Sequence, residues 1–183
     1  MMLGIVFTEF TEMVEEKFSV NLLDELITAT EARLASRGVY TAVGNYDHAE
    51  ILELVAELSR LTDVPVPDLV RTYGKHLFGR FYHRYPGFFE DVADSMSFLF
   101  RVESHIHREV RKLYDSAELP SFDCEKTSDN TMVMTYRSSR PFAFLALGLI
   151  EGCAEHFGEC LEIDFKDLSH GQMTHAQFDI VRK

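Results

Sequence analysis

The sequence predicts an α+β fold in which an amino-terminal helical part is followed by an antiparallel sheet with packed helices. Apolar residues recur at helical spacing as far as Tyr114, and beyond Pro120 the pattern changes to alternation. Too few helices separate the later strands for a fully parallel sheet. The 183 residues, 46% of them hydrophobic, are enough for one compact domain.

Apolar spacing and helix-ending residues define the predicted helices. Asp47 followed by Glu50 is a capping-box signature, and the segment Tyr85-Pro86-Gly87 resists continuation of a helix. A helical pattern resumes at Phe88, with a break near Ser95 left open. The predicted helices are Gly4 to Phe18, Asn21 to Ala35, Asp47 to about Leu61, Pro67 to about His83, Phe98 to Tyr114 and Phe142 to Phe157.

The predicted strands have β-branched and aromatic residues alternating with polar ones. They are Thr131 to Tyr136, Cys160 to Phe165 and Ala176 to Val181.

Charge and hydropathy exclude several classes of protein. The net charge of -12, from 18 basic and 30 acidic residues, repels nucleic acid and anionic membrane surfaces. No apolar run approaches the roughly 18 residues of a membrane span, and Met1 to Glu9 lacks the features of a secretory signal. We therefore expect a cytoplasmic protein that binds neither nucleic acid nor a membrane.

His107 is the first candidate for chemistry. If Phe98 to Tyr114 is wound as one α-helix, His107 falls at the edge of the apolar face beside Phe100, whereas His105 points away from that face. A neutral imidazole directed into an apolar cavity is what an axial haem ligand requires. Helix geometry alone leaves open a core histidine that is only hydrogen-bonded.

The segment Tyr136-Arg137-Ser138-Ser139-Arg140 is the second candidate. If it ends a strand, Tyr136, Ser138 and Arg140 share one face and offer a phenol, a hydroxyl and a guanidinium. These donors suit two carboxylates, such as haem propionates. The alternative is a solvated strand end.

In these features the chain resembles the haem nitric oxide/oxygen-binding (H-NOX) family, related to the haem domain of soluble guanylate cyclase. The resemblance covers nearly the whole chain and rests on Gly4-Ile5-Val6, on Tyr85-Pro86-Gly87-Phe88-Phe89, and on a Tyr-x-Ser-x-Arg motif beginning at Tyr136. The 13 residues from His107 to Pro120 and the 29 from His107 to Tyr136 match the family's spacing. Counting from His105 does not.

The resemblance implies a single sensor domain over residues 1–183, with a distal helical part to about residue 65 and haem-ligating helices and sheet from about residue 66. It implies haem b, buried between these parts, with His107 as the axial ligand of the iron and Tyr136, Ser138 and Arg140 on the propionates. Pro120 is either a packing contact with the porphyrin or a simple loop proline.

The resemblance also bears on the gas that is bound. Oxygen-binding relatives have a tyrosine nine positions after the motif tyrosine, where this chain has Leu145. Bound dioxygen gains from a buried donor, whereas nitric oxide does not need one. We therefore expect nitric oxide, and also carbon monoxide, to bind beside Leu145 and the candidate neighbours Leu149, Phe10 and Phe78.

The sequence contains no Walker loop, nucleophile elbow or kinase signature, so we predict a sensor and not an enzyme. The resemblance implies that nitric oxide weakens the bond to His107, shifting its helix and changing a surface read by a separate partner. By family likeness that partner is a histidine kinase or a cyclic-di-nucleotide enzyme.

The three cysteines support the competing hypothesis, a haem-free or cysteine-based redox interaction module. Cys124, Cys153 and Cys160 are too few for a secreted disulfide framework. With His156 they could supply four zinc ligands, but their spacing matches no compact zinc motif. Inert packing of reduced thiols is the simpler interpretation.

Overall fold

The computed structural model describes residues 1–114 and 118–183, which divide into two compact units, Met1–Tyr73 and Gly74–Lys183. The helices are α1 Gly4–Lys17, α2 Val20–Thr30, α3 His48–Thr62, α4 Val66–Arg84, α5 Ser95–Arg101, α6 Arg108–Leu113 and α7 Ala143–Phe157, with a π-helical segment Val102–His107 and short 3-10 turns Glu31–Arg33 and Pro86–Phe88. The strands are β1 Met2–Leu3, β2 Asn45–Tyr46, β3 Ser121–Ser128, β4 Thr131–Arg137, β5 Leu161–Asp167 and β6 His175–Arg182. The predicted α+β class is confirmed.

The first unit is helical apart from the small antiparallel pair β1–β2. Helix α1 buries one face at helical spacing, formed by Phe7, Phe10, Met13 and Val14. Helix α3 starts as predicted, because the Asp47 side chain accepts from the Ala49 amide at 2.9 Å. Of the predicted capping box, only the contact made by the Asp47 side chain forms. The Glu50 carboxylate is buried and instead accepts hydrogen bonds from Ser36 and Tyr40.

The second unit is built on a four-stranded antiparallel sheet in the order β3-β4-β6-β5. The buried face of β4 and β6 consists of Met132, Met134, Tyr136, Ala176, Phe178 and Ile180, which pack in one cluster with residues of α5 and α7. The opposite face is more exposed and mainly polar, as period-two alternation requires.

Helices α4 and α7 approach each other closely at Gly74. A Cβ atom built on Gly74 would lie 2.5 Å from the Leu145 carbonyl oxygen and 2.8 Å from the Gly148 Cα. The backbones can come this near only because position 74 has no side chain.

Two predictions about the chain between Phe88 and Tyr114 are wrong. The helix expected from Phe88 begins only at Ser95, where Asp94 caps it by accepting from the Ser97 amide at 2.7 Å. The expected single α-helix to Tyr114 is interrupted by the π segment Val102–His107. A π turn contains more residues than an α turn, so residues before and after it do not keep the faces of one α-helix.

Phe100 shows the consequence, since it is 44% exposed, with the Lys126 ammonium 5.0 Å from its ring centroid. Within residues 1–114 and 118–183, no helix is both long and apolar enough to span a bilayer.

Candidate functional site

His107 is the last residue of the π segment, and its side chain is 12% exposed. Burial lowers the pKa of the imidazole below its ordinary value, although the hydrogen bond to Glu103 acts in the opposite direction. The side chain is therefore neutral at neutral pH, which leaves one ring nitrogen with a lone pair for a metal.

Glu103 determines which nitrogen that is. His107 Nδ1 lies 3.0 Å from Glu103 Oε2. An ionised carboxylate can only accept, so Nδ1 bears the proton and Nε2 bears the lone pair. The Pro120 carbonyl also lies near the ring and, like Glu103, favours its protonated form. The structure thus brings Pro120 beside His107.

The three motif residues at the end of β4 and just after it also come together. Tyr136 is buried, and its hydroxyl donates to the Arg140 carbonyl at 3.3 Å, while the Arg140 amide donates to Ser138 Oγ at 3.1 Å. Burial raises the pKa of Tyr136, so the phenol keeps its proton and remains a donor. The route to this cluster differs from the predicted strand face. Strand β4 ends at Arg137, and Ser138 and Arg140 are placed by the turn that follows.

Arg140 is a buried cation that binds a carboxylate. It is 6% exposed, and its Nη1 donates to the Glu118 carbonyl at 2.9 Å, while Nη2 pairs with the Glu118 carboxylate. A buried guanidinium needs such a partner, because an unpaired buried charge is strongly unfavourable.

These groups fit a haem. A haem propionate is a carboxylate, the kind of group that Arg140 binds in Glu118. Tyr136 and Ser138 add hydroxyl groups next to Arg140. Nε2 of the His107 imidazole is the kind of ligand that a haem iron takes. Phe122 connects the two places, because its ring centroid is 5.6 Å from that of His107 and 5.6 Å from that of Tyr136.

The structure distributes the predicted distal residues over both units. Leu145 and Leu149 lie half-buried on α7, and Leu149 packs against the core cluster that contains Phe78. Phe78 makes edge contacts with the rings of Phe89 and Phe98. Phe10 belongs to the first unit, where it is fully buried and contacts Tyr73 edge-on at 5.4 Å.

The three cysteines are free thiols and lie in no metal-binding group among the described residues. No group of three or more histidine, cysteine, aspartate or glutamate side chains in residues 1–114 and 118–183 is arranged to hold a metal ion. Burial raises the pKa of the Cys124 thiol to about 11 and that of Cys153 further, and both changes disfavour the reactive thiolate. Cys160 is exposed.

Comparison with known proteins identifies the class to which this fold and site belong. The family described as Haem-NO-binding matches residues 3–165. An Fe(II) unliganded H-NOX protein from K. algicida superimposes with a TM-score of 0.92 at 40% identity, covering 100% of this chain and 97% of that one. An H-NOX from Shewanella woodyi, bound to IWP-051 in the Fe(II)CO state, has 42% identity, a TM-score of 0.83 and coverages of 100% and 95%.

A third similar structure is an H-NOX protein from S. oneidensis in the Fe(II)NO state, with a TM-score of 0.90, 26% identity and coverages of 100% and 99%. Among curated proteins, no sequence matches this chain. The chain belongs to the Haem-NO-binding family, the H-NOX domains, which are haem-based gas sensors.

Sequence reasoning missed three residues of the site. Glu103 could have been found from its spacing of four residues before His107, which places both on one side of a helical turn. Glu118 and Phe122 carry no such local signal. The partner of Glu118 is Arg140, 22 residues further along the chain, and Phe122 meets Tyr136 only through the pairing of β3 with β4.

Proposed function

We propose that this protein is a sensor in which haem b is held by His107 and by the Tyr136-Ser138-Arg140 cluster, binds nitric oxide and regulates a separate signalling partner. The observation that supports this most strongly is that the Phe122 ring contacts both His107 and Tyr136 and so brings two sites close together. One is a neutral, buried imidazole with a lone pair on Nε2, and the other is a buried guanidinium that binds a carboxylate.

A haem held at this site would supply a ferrous iron that can bind a diatomic gas. The chain contributes the axial nitrogen of His107, the cationic partner of Arg140 for a propionate, and the hydroxyl groups of Tyr136 and Ser138. Pro120, whose carbonyl lies near the His107 ring, is proposed to pack against the porphyrin.

We propose selectivity for nitric oxide over oxygen because the chain lacks a donor where oxygen-binding relatives have a tyrosine. Leu145 is there instead, half-buried on α7, and no tyrosine occurs between Arg137 and Lys183. Leu149 and Phe78, also in the second unit, are the other apolar neighbours proposed, and Phe10 of the first unit stays a prediction from the sequence. Carbon monoxide is expected to bind as well, since the S. woodyi relative was solved with it.

Transmission is proposed to begin at the helix that bears His107. The π segment between α5 and α6 ends at His107, and π-helical turns are rare and are found mostly at functional sites. A change in the position of His107 would be passed directly to α6, which begins at Arg108. We propose a histidine kinase or a cyclic-di-nucleotide enzyme as the partner that detects this change.

The test of the proposed function is the visible spectrum of the purified protein and of two matched histidine variants. We expect a strong Soret band in the parent, its loss in His107→Gly, and its return when imidazole is supplied. His105→Gly is the control, because His105 lies two residues away and has no predicted role. A colourless parent that responds to oxidants would support the cysteine-based alternative instead.

A further inference from the structure

Glu103 makes three contacts with groups from different parts of the second unit. Its Oε2 lies 3.0 Å from His107 Nδ1 and accepts from the Phe122 amide at 3.2 Å, while its Oε1 accepts from Arg111 Nη2 at 2.9 Å. The carboxylate therefore joins the π segment, α6 and the start of β3, with the imidazole of His107 among its partners.

The chemistry of these partners fixes the direction of each hydrogen bond. The amide and the guanidinium can only donate, and the ionised carboxylate can only accept. The His107 ring must therefore donate from Nδ1 to Glu103. A histidine whose Nδ1 proton is hydrogen-bonded to a carboxylate has its ring orientation and tautomer fixed, and its other nitrogen becomes a stronger ligand.

We propose that Glu103 is the positioning residue for the axial histidine: its carboxylate holds His107 in the Nδ1-protonated tautomer, directs Nε2 toward the iron and strengthens the bond that Nε2 makes. This inference rests on the proposed function, since it assumes that His107 is the axial ligand. It adds a residue outside the recognised motifs and assigns it an effect on ligand strength.

Two further groups keep this arrangement in place. Arg111 neutralises the carboxylate on the side away from the imidazole, and the Phe122 amide fixes its distance from β3. The acceptor that lies at Nδ1 is Glu103 Oε2, at 3.0 Å.

The first experiment measures the iron–histidine stretching frequency of the ferrous, gas-free protein by resonance Raman spectroscopy. Glu103→Gln should move this frequency lower, because an amide oxygen is a weaker acceptor than a carboxylate. Glu109→Gln is the matched control. Glu109 is also on this helical stretch and is similarly exposed, but among the described residues its hydrogen bonds and ion pairs are to Arg108 and Lys112 and not to His107. The iron–histidine frequency of the Glu109→Gln protein should equal that of the parent.

A second experiment leaves Glu103 unchanged and so does not depend on how that variant folds. In His107→Gly protein, 4-methylimidazole and 1-methylimidazole are compared as replacement ligands, because they have similar size but only the first keeps an N–H for Glu103. We expect the first to bind about 10- to 100-fold more tightly, the range for a hydrogen bond to a charged group. The preference should shrink in the His107→Gly/Glu103→Gln protein.

The outcomes separate this inference from the proposed function. A parent protein without a Soret band overturns both. A parent with haem that depends on His107, but with an iron–histidine frequency unchanged by Glu103→Gln, overturns only the role of Glu103. Equal binding of the two methylimidazoles to His107→Gly protein has the same meaning. In those cases Glu103 joins helix and strand without acting on the ligand.

Discussion

The close approach of α4 and α7 gives a stability prediction whose size follows from the structure. Gly74→Ala and Gly79→Ala are the same substitution in the same helix. At Gly74 the added Cβ would lie 2.5 Å from the Leu145 carbonyl oxygen and 2.8 Å from both Gly148 Cα and Leu149 N, whereas at Gly79 nothing lies within 4 Å. All three neighbours at Gly74 are backbone atoms, so none can rotate away.

The two variants should therefore differ in their free energy of unfolding. Replacing glycine with alanine inside a helix gains about 0.5–1 kcal/mol, and this gain applies at both positions. Overpacking costs roughly 1–3 kcal/mol and applies only at Gly74. Gly79→Ala should be more stable than the parent, and Gly74→Ala should be less stable than Gly79→Ala by about 1–3 kcal/mol.

Thermal unfolding followed by circular dichroism measures this difference. For a chain of this length, 1 kcal/mol shifts the midpoint by roughly 2–4 °C, so the two variants should differ by roughly 2–12 °C. Haem content and ligation state must be equal in all samples, because ligand binding itself raises the midpoint. Equal midpoints for Gly74→Ala and Gly79→Ala would refute the close approach of the two helices.

Three further predictions concern the site and the sheet. Arg140→Ala should speed haem loss several-fold or more in a transfer assay to apomyoglobin, because a propionate loses its cationic partner, while Arg137→Ala, an exposed neighbour, should not. The ferrous protein should bind nitric oxide and carbon monoxide yet form no stable complex with oxygen in air. Leu145→Tyr should raise the oxygen affinity roughly ten- to a hundredfold, because the new hydroxyl can donate to bound oxygen. A long-lived oxygen complex of the parent would contradict an apolar site. Hydrogen bonds from Ser169 lower the pKa of Asp167 in the folded protein. The ionised carboxylate therefore stabilises the fold at pH values above the pKa that Asp167 has in the unfolded chain, and this stabilisation is lost as the pH falls through the lower pKa of the folded protein. Urea unfolding of Asp167→Asn should thus show a deficit at neutral pH that vanishes in acid.

The sequence predicted most of the helices because their signals are local. The predicted end of α1 differs from the observed one by one residue, and α3 starts next to the capping Asp47. Strand β3, in contrast, was not predicted. Only Phe122 and Cys124 of its eight residues are partly buried, so the alternation stops after Glu125, and these first five residues include no β-branched one to mark a strand. Its strand conformation depends on pairing with β4, which is not a local property.

The candidate site divides in the same way. His107 and the cluster of Tyr136, Ser138 and Arg140 could be proposed from residue type and spacing, because the chemistry of iron and of carboxylates demands those groups. The π segment could not be predicted by assuming 100° per residue, and this error placed Phe100 on the apolar face although it is 44% exposed. The partners Glu103 and Glu118 depend on which segments meet in the folded chain.

The register of β3 against β4 explains why the spacing from His107 to Tyr136 is informative. Phe122 is paired with Tyr136 across the two strands, and its ring lies between Tyr136 and His107. A slip of one residue would turn Phe122 to the opposite face of the sheet. The Phe122 amide is also fixed by Glu103, the same carboxylate that holds the His107 ring. The separation of His107 from the Tyr136-Ser138-Arg140 cluster therefore depends on the Phe122–Glu103 hydrogen bond and on the pairing of Phe122 with Tyr136, and the number of intervening residues must suit that register.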